Sequence, residues 1–298
     1  MVFKKGIIVI LAACFLNILS AQAHASQSLS TSIVSYALGD AVTAGKMGLD
    51  SPYKNPAGLT DLTTLTVSTT YATMFDQSYT LMSLGIGLPV SESFFISLNL
   101  PYRVVGDIPL TIDNNGQARQ VGTFQDSTLN GIITLAYKLS PNLSIGSNIH
   151  YYAEQIGNNN AQNVGLDAGI LYHQDALSIG ASIFNAASYK MDQSTNEASP
   201  LSRQINIGIA YDFGSDWTFL ADSSLENAST AVINLGGIFK LSPALSLYGG
   251  IQNISSGTNL RLGASCYFST FKIDYAYSVN SDLGPVHKIG MAWEFSHD

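Results

Sequence analysis

The sequence predicts an all-β fold, a transmembrane antiparallel β-barrel of about 14 strands. Three observations carry that prediction: an export leader, a low content of charge, and a sustained two-residue hydrophobic alternation. Lys4 and Lys5 precede an apolar run from Gly6 to Leu19, and the small-residue pattern Ala21-Gln22-Ala23-His24-Ala25 follows. That is the layout of a cleaved secretory signal peptide over residues 1–25. Leu11-Ala12-Ala13-Cys14 also reads as a lipoprotein cleavage box in which Cys14 would be lipidated, although the apolar run continues past it. Charged residues make up 11% of the chain, against about 25% in soluble domains. Such a composition suits a wall with lipid on one side and water on the other. After the leader no apolar run reaches the roughly 18–20 residues of a membrane helix, which excludes a helical bundle.

Loss of residues 1–25 removes two lysines and takes the formal net charge from −8 to −10. With no basic patch anywhere, nucleic acid is not an expected partner. Cys266 is then the single cysteine, so no disulfide within the chain can staple the fold.

The alternation is clearest near the carboxyl end. Ile289, Met291, Trp293 and Phe295 face one way, and Lys288, Gly290, Ala292 and Glu294 the other. Phe271, Ile273, Tyr275, Tyr277 and Val279 oppose Lys272, Asp274, Ala276 and Ser278 in the same manner, with every charge on one side. Segments of this kind predict strands near 62–74, 78–88, 94–104, 123–139, 143–156, 163–173, 176–186, 201–213, 217–226, 230–241, 245–253, 259–267, 271–279 and 287–295. An even number returns the chain to its starting rim, as a closed single-chain barrel requires.

Connections alternate in length. Ser140-Pro141-Asn142, Gly214-Ser215-Asp216 and Ser242-Pro243-Ala244 are tight and expected on the periplasmic rim, whereas longer loops are expected near 105–122, 157–162, 187–200 and 280–286. Tyr71, Phe75, Tyr79, Tyr102, Tyr137, Tyr151, Tyr172, Tyr211, Phe213, Phe239 and Phe295 lie near strand ends, the place of aromatic girdles. A secreted β-sandwich would also alternate, but it has no reason for such girdles.

Residues 26–61 are not strand-like. They run from a small-residue stretch, Ser35-Tyr36-Ala37-Leu38-Gly39-Asp40-Ala41, through Gly48-Leu49-Asp50-Ser51-Pro52-Tyr53 to Asn55-Pro56-Ala57-Gly58-Leu59. That order, with Asn55, Pro56, Ala57 and Gly58 just ahead of the first strand, resembles the amino-terminal region of the FadL and PorV superfamily of outer-membrane proteins. The resemblance implies a fourteen-stranded outer-membrane barrel over residues 62–298, with residues 26–61 folded into its lumen as a hatch. It also implies passive uptake of a hydrophobic small molecule such as a long-chain fatty acid, leaving sideways through a wall opening at the third strand. Outer-membrane lipid, the barrel assembly machinery and that ligand are the partners it implies. The PorV and PorQ branch implies a different role, the handling of secreted proteins in type IX secretion. A plain water-filled porin is a third reading, against which the hatch argues. The chain departs from the pattern in being short, with modest external loops, and in ending Phe295-Ser296-His297-Asp298 instead of on an aromatic residue.

In the third strand Asn99 and Pro101 mark the expected lateral opening, because proline has no N–H to give the ladder. The competing reading is that Pro101 merely ends the strand. Polar side chains expected to face the lumen include Asn130, Lys138, Asn148, His150, Asp167, Asp222, Glu226, Arg261, Lys272, Asp274 and Glu294. Facing lipid, an Arg or Lys at mid-bilayer would cost about 2–4 kcal/mol, so an inward orientation is required whatever the function. No catalytic motif, metal site or cofactor is expected. The histidines lack Ser or Asp motif partners, and strand rise puts His150 and Glu154 about 13 Å apart, too far for one ion.

Overall fold

The alternation becomes a closed barrel of fourteen antiparallel strands. It is seen in a computed structural model that describes residues 30–74, 79–114, 117–191, 201–227, 231–254, 259–280 and 284–295. The expected leader, its Cys14 alternative and the first residues of the 26–61 segment lie outside the described residues.

The strands are β1 (Leu65–Met74), β2 (Tyr79–Pro89), β3 (Phe94–Asn114), β4 (Gln117–Ser140), β5 (Leu143–Ile156), β6 (Asn159–Gln174) and β7 (Leu177–Lys190). They continue as β8 (Gln204–Phe213), β9 (Trp217–Glu226), β10 (Val232–Ser242), β11 (Leu245–Gln252), β12 (Asn259–Phe268), β13 (Phe271–Asn280) and β14 (Gly284–Phe295). Each pairs with its sequence neighbours, and β14 closes on β1 from Leu65↔Phe295 to Thr73↔His287.

The wall is the reverse of a soluble protein. Outward positions are large and apolar, with Leu84 61%, Leu262 52% and Ile149 48% exposed, while the inward Asn148 and Asn206 are fully buried. Lipid covers the first set, and the lumen satisfies the second. Aromatic rings cluster outside at the tight-turn rim, where Trp217 stacks on Phe239 at 4.3 Å and Phe271 meets Trp293 at 4.4 Å. Tyr71, Tyr137, Tyr151, Tyr172, Tyr211, Phe213 and Phe295 are likewise exposed. Tyr79 is not a girdle residue: it shares the inward parity of Leu81 on β2 and packs with Leu81 and Tyr152. Phe75 lies outside the described residues.

Two expected loops are not loops. Residues 105–122 were expected to connect the third and fourth strands, but β3 and β4 run on to Asn114 and Gln117 as one long hairpin. One extra residue on β3 near Gly106-Asp107 and one on β4 near Val121 are absorbed as bulges, and Asp107 takes a positive φ of 52°. The ribbon leaves its neighbours behind, because β2 follows β3 only to Val105 and β5 follows β4 only to Asp126. With about 3.3 Å per residue, it projects roughly 30 Å along its strands beyond that rim. Residues 157–162 are likewise no long loop, since β5 turns at Gly157, φ 56°, and β6 resumes at Asn159.

Ahead of β1 the described part of the 26–61 segment folds inside the barrel. A one-turn helix α1 (Ile33–Ala37) is followed by two short 3-10 helices, Gly48–Tyr53 and Pro56–Asp61. The first wall strand begins at Leu65 instead of 62 because Leu62 is still part of that interior, buried with Leu49, Leu59 and Phe95.

Candidate functional site

The lumen and the segment that fills it form the candidate site. Ser32 caps α1, its Oγ accepting from Ser35 N at 3.0 Å. The apolar residues Ile33, Val34, Ala37, Leu38, Ala41 and Val42 then pack against Leu220, Tyr248 and Ala276 of the wall. Asn55 organises the other end. Its Oδ1 accepts from Ala57 N at 3.1 Å, and its Nδ2 donates to Thr43 O at 2.7 Å within the segment and to Ile170 O at 3.0 Å on β6. Pro56 follows at the first helical position, where a missing N–H costs nothing, and Ala57 and Gly58 are buried behind it. The phrase Asn55-Pro56-Ala57-Gly58 is therefore a docking turn pressed on the barrel wall.

That close approach demands missing side chains in the wall. A Cβ on Gly146 of β5 would lie 2.4 Å from Pro56 C, and one on Gly250 of β11 would lie 2.2 Å from both Leu38 C and Gly39 N. Glycine inside a strand weakens it, and here it makes room for a second backbone.

Polar clamps complete the seating. Asp222 accepts from Thr43 N at 2.9 Å and from Thr43 Oγ1 at 2.6 Å. Arg261 Nη1 meets Asp40 Oδ2 at 2.9 Å, and Lys54 Nζ donates to Ser224 Oγ at 2.9 Å. Asn148 Nδ2 donates to Pro52 O and to Asp167 Oδ2, both at 2.9 Å, and His150 Nε2 stands 3.3 Å from Asp167 Oδ1. Lys272 pairs with Asp274 at 3.1 Å below α1, and Glu294 lines the cavity on the tight-turn side. Burial in the lumen pushes the Asp50 carboxyl up to about 6, with Lys272 opposing and Asp274 adding to the rise. Burial also pushes the Tyr53 phenol up to about 12, against its hydrogen bond with Ser83.

Two cavities flank the segment. One of about 570 Å³ lies on the tight-turn side and is lined by Asp50, Asp212, Lys240 and Lys272 among others. The other, about 390 Å³, lies on the long-hairpin side against Asp40, Lys54, Glu226, Arg261 and Lys288. Both carry charge of each sign.

Asn99 is 2% exposed and Pro101 is buried, both on the lumen side of β3. Pro101 pairs with Ser83 of β2, but toward β4 the ladder skips from Asn99↔Ile132 to Tyr102↔Leu129 without a change of register. Asn130, opposite Pro101, has a buried Oδ1 with no hydrogen-bond partner among the described residues. Immediately above, Arg103 holds Asp126 at 2.8 Å and Glu154 at 3.2 Å, tying β3 to β4 and β5. Sequence reasoning missed this cluster, whose signal was three charges of lumen parity near one rim.

The family model of type IX secretion system membrane proteins PorP/SprF matches residues 75–292. No curated protein matches the sequence. Among solved structures, the Pseudomonas putida toluene transporter TodX superposes with a TM-score of 0.69 at 12% identity, covering 91% of this chain and 100% of that one. The Ralstonia pickettii toluene transporter TbuX gives 0.63 at 13%, with coverage of 91% and 100%. A Pseudomonas aeruginosa FadL homologue gives 0.63 at 13%, with 89% and 98% covered. At such identities the likeness establishes the fold alone, a closed antiparallel barrel like theirs.

Proposed function

We propose a function from the premise that the chain belongs to the type IX secretion system membrane protein PorP/SprF family: a plugged outer-membrane barrel that holds a secreted polypeptide at the outer rim. The observation that carries this reading is the lumen itself. A segment clamped by Asp222, Arg261 and Asn148 fills it, and the cavities on either side carry charged groups of both signs among apolar side chains. Charges of both signs set among the apolar side chains of those walls disfavour a purely apolar solute, whereas a polypeptide held at the rim needs no passage through them. The β3–β4 ribbon supplies the contact surface, since beyond Val105 and Asp126 its outer edges have no strand partner among the described residues and offer backbone groups to an added strand. Export by the amino-terminal leader would deliver the chain to the periplasm for assembly into the outer membrane.

A second reading keeps one supporting observation. The ladder gap at Leu100 and Pro101 lies where a hydrophobic molecule could leave the lumen for lipid, and TodX and TbuX are toluene transporters. Fatty acid is one candidate solute of that kind. The two readings separate in a strain deleted for this chain. We expect secreted proteins to disappear from the medium and to return on complementation. An unchanged set of secreted proteins, with uptake of toluene or a fatty acid slowed, and slowed again by Pro101→Val in the complementing copy, would reverse the assignment.

A further inference from the structure

The outer vestibule holds a charge that neither reading uses. Two cations meet one ring there: Arg261 Cζ lies 4.0 Å and Lys288 Nζ 4.3 Å from the centroid of Tyr36. A single carboxylate, Asp40, stands beside them, and its oxygens are already engaged. Oδ2 accepts from Arg261 at 2.9 Å and from Gln252 Nε2 at 3.0 Å, and Oδ1 accepts from Ser35 Oγ at 3.1 Å. Lys288 is 3% exposed. Among the described residues it makes no ion pair, and its one hydrogen bond is long, 3.4 Å to Ser30 O. An ammonium carries three donors, and a buried charge without an answering one is costly.

These groups line the same cavity of about 390 Å³. Its charged lining is Lys54, Arg261 and Lys288 against Asp40 and Glu226, one positive charge in excess. A single surplus charge is neutralised by a monoanion and overshot by a phosphate dianion. Arg261 already donates through Nη1 to Asp40 and to Tyr36 O and through Nη2 to Gln252 Oε1, so it lends charge to the vestibule, while the Lys288 ammonium has donors left for the oxygens of a planar carboxylate. Gln204, Ser224, Asn234 and Gln252 make much of the remaining wall polar, which suits a hydrophilic ligand. We propose that Lys288 and Arg261, gathered on the Tyr36 ring, form a carboxylate-binding site in the outer vestibule. Its ligand is a polar organic acid or the C-terminal carboxylate of a polypeptide. The site stands whether or not the secretion reading holds.

The test is calorimetric titration of the folded full barrel, at constant ionic strength, with acetate and with a Gly-Ser-Gly-Ser peptide as free acid or as C-terminal amide. The free acid is expected to bind at least tenfold more tightly than the amide, with the preference lost in Lys288→Gln and kept in Lys288→Arg. Acetate binding as tightly as the peptide acid assigns the site to small acids, and a tighter peptide assigns it to chain termini. Equal binding of acid and amide, binding by no carboxylate, or a preference that survives Lys288→Gln overturns the proposal. Gel mobility of unheated samples establishes that each variant is folded. Should Lys288→Gln fail that check, the same loss is required of Tyr36→Leu, which removes the ring that gathers the two cations.

Discussion

One amide, that of Asn55, caps a helix, ties two turns of the interior segment together and pins both to β6. An Ala side chain can do none of these. Its role was legible in part: Asn-Pro opens turns in any protein, so the sequence marked the turn but not the wall carbonyl of Ile170 that it meets. Asp50 carries the testable consequence at this scale. Its carboxyl is raised to about 6 in the folded protein against 3.8 as the ordinary value, so the folded state binds the proton more tightly between those values. Stability should therefore rise as the pH falls from above 6 toward 4, and the penalty of ionised Asp50 is complete above 6. Asp50→Asn should remove that penalty. Thermal midpoints of the wild-type segment's release, measured from pH 4 to 8, should slope across this window, and those of the variant should be flatter.

At the scale of elements, the strands were legible because each faces two solvents. β5 (Leu143–Ile156) and β9 (Trp217–Glu226) fall on their expected bounds, where lipid and lumen impose opposite demands on alternate residues. The hairpin beyond Val105 was not legible for the same reason, since both its faces are wet and Leu110, Ile112 and Val121 stay exposed. Gly106, Asp107 and Pro109 read as loop residues, but a bulge accommodates the first two and Pro109 pairs in register with Thr123. The interior segment was legible as non-strand, whereas the wall glycines that receive it look like ordinary strand glycines until the register is known. Because that segment fills the lumen, its removal over residues 26–61 should raise single-channel conductance in planar bilayers severalfold. Conductance equal to that of the intact chain would mean that the segment does not block the pore. Gly146→Val should act in the same direction by displacing Pro56, with the barrel still formed.

The whole molecule is held by its medium as much as by its contacts. Lipid covers an outer surface that would be an aggregation hazard in water, and every strand has two partners, so no edge remains within the barrel wall. Unheated samples should accordingly migrate faster than boiled ones on gels. Ile149→Arg, on the outer face midway along β5, should lower barrel stability by about 2–4 kcal/mol in a reversible unfolding assay. A soluble product with no mobility shift would contradict the architecture. The clamps inside have an implication for the order of events. β14, the last strand described, lies along β1 and at the same time presents Gly290 to Ile33 and Lys288 to Tyr36. The final seam of the wall and part of the interior's bed are thus one strand. Part of the segment's bed therefore forms only when β14 meets β1, so sealing the wall and seating the segment are linked steps, like a ship laid in its bottle as the neck is drawn. Once the seam is sealed, the segment stays attached through residues 62–64 to β1, one of the two strands of that seam, so it cannot leave the pore as a separate body.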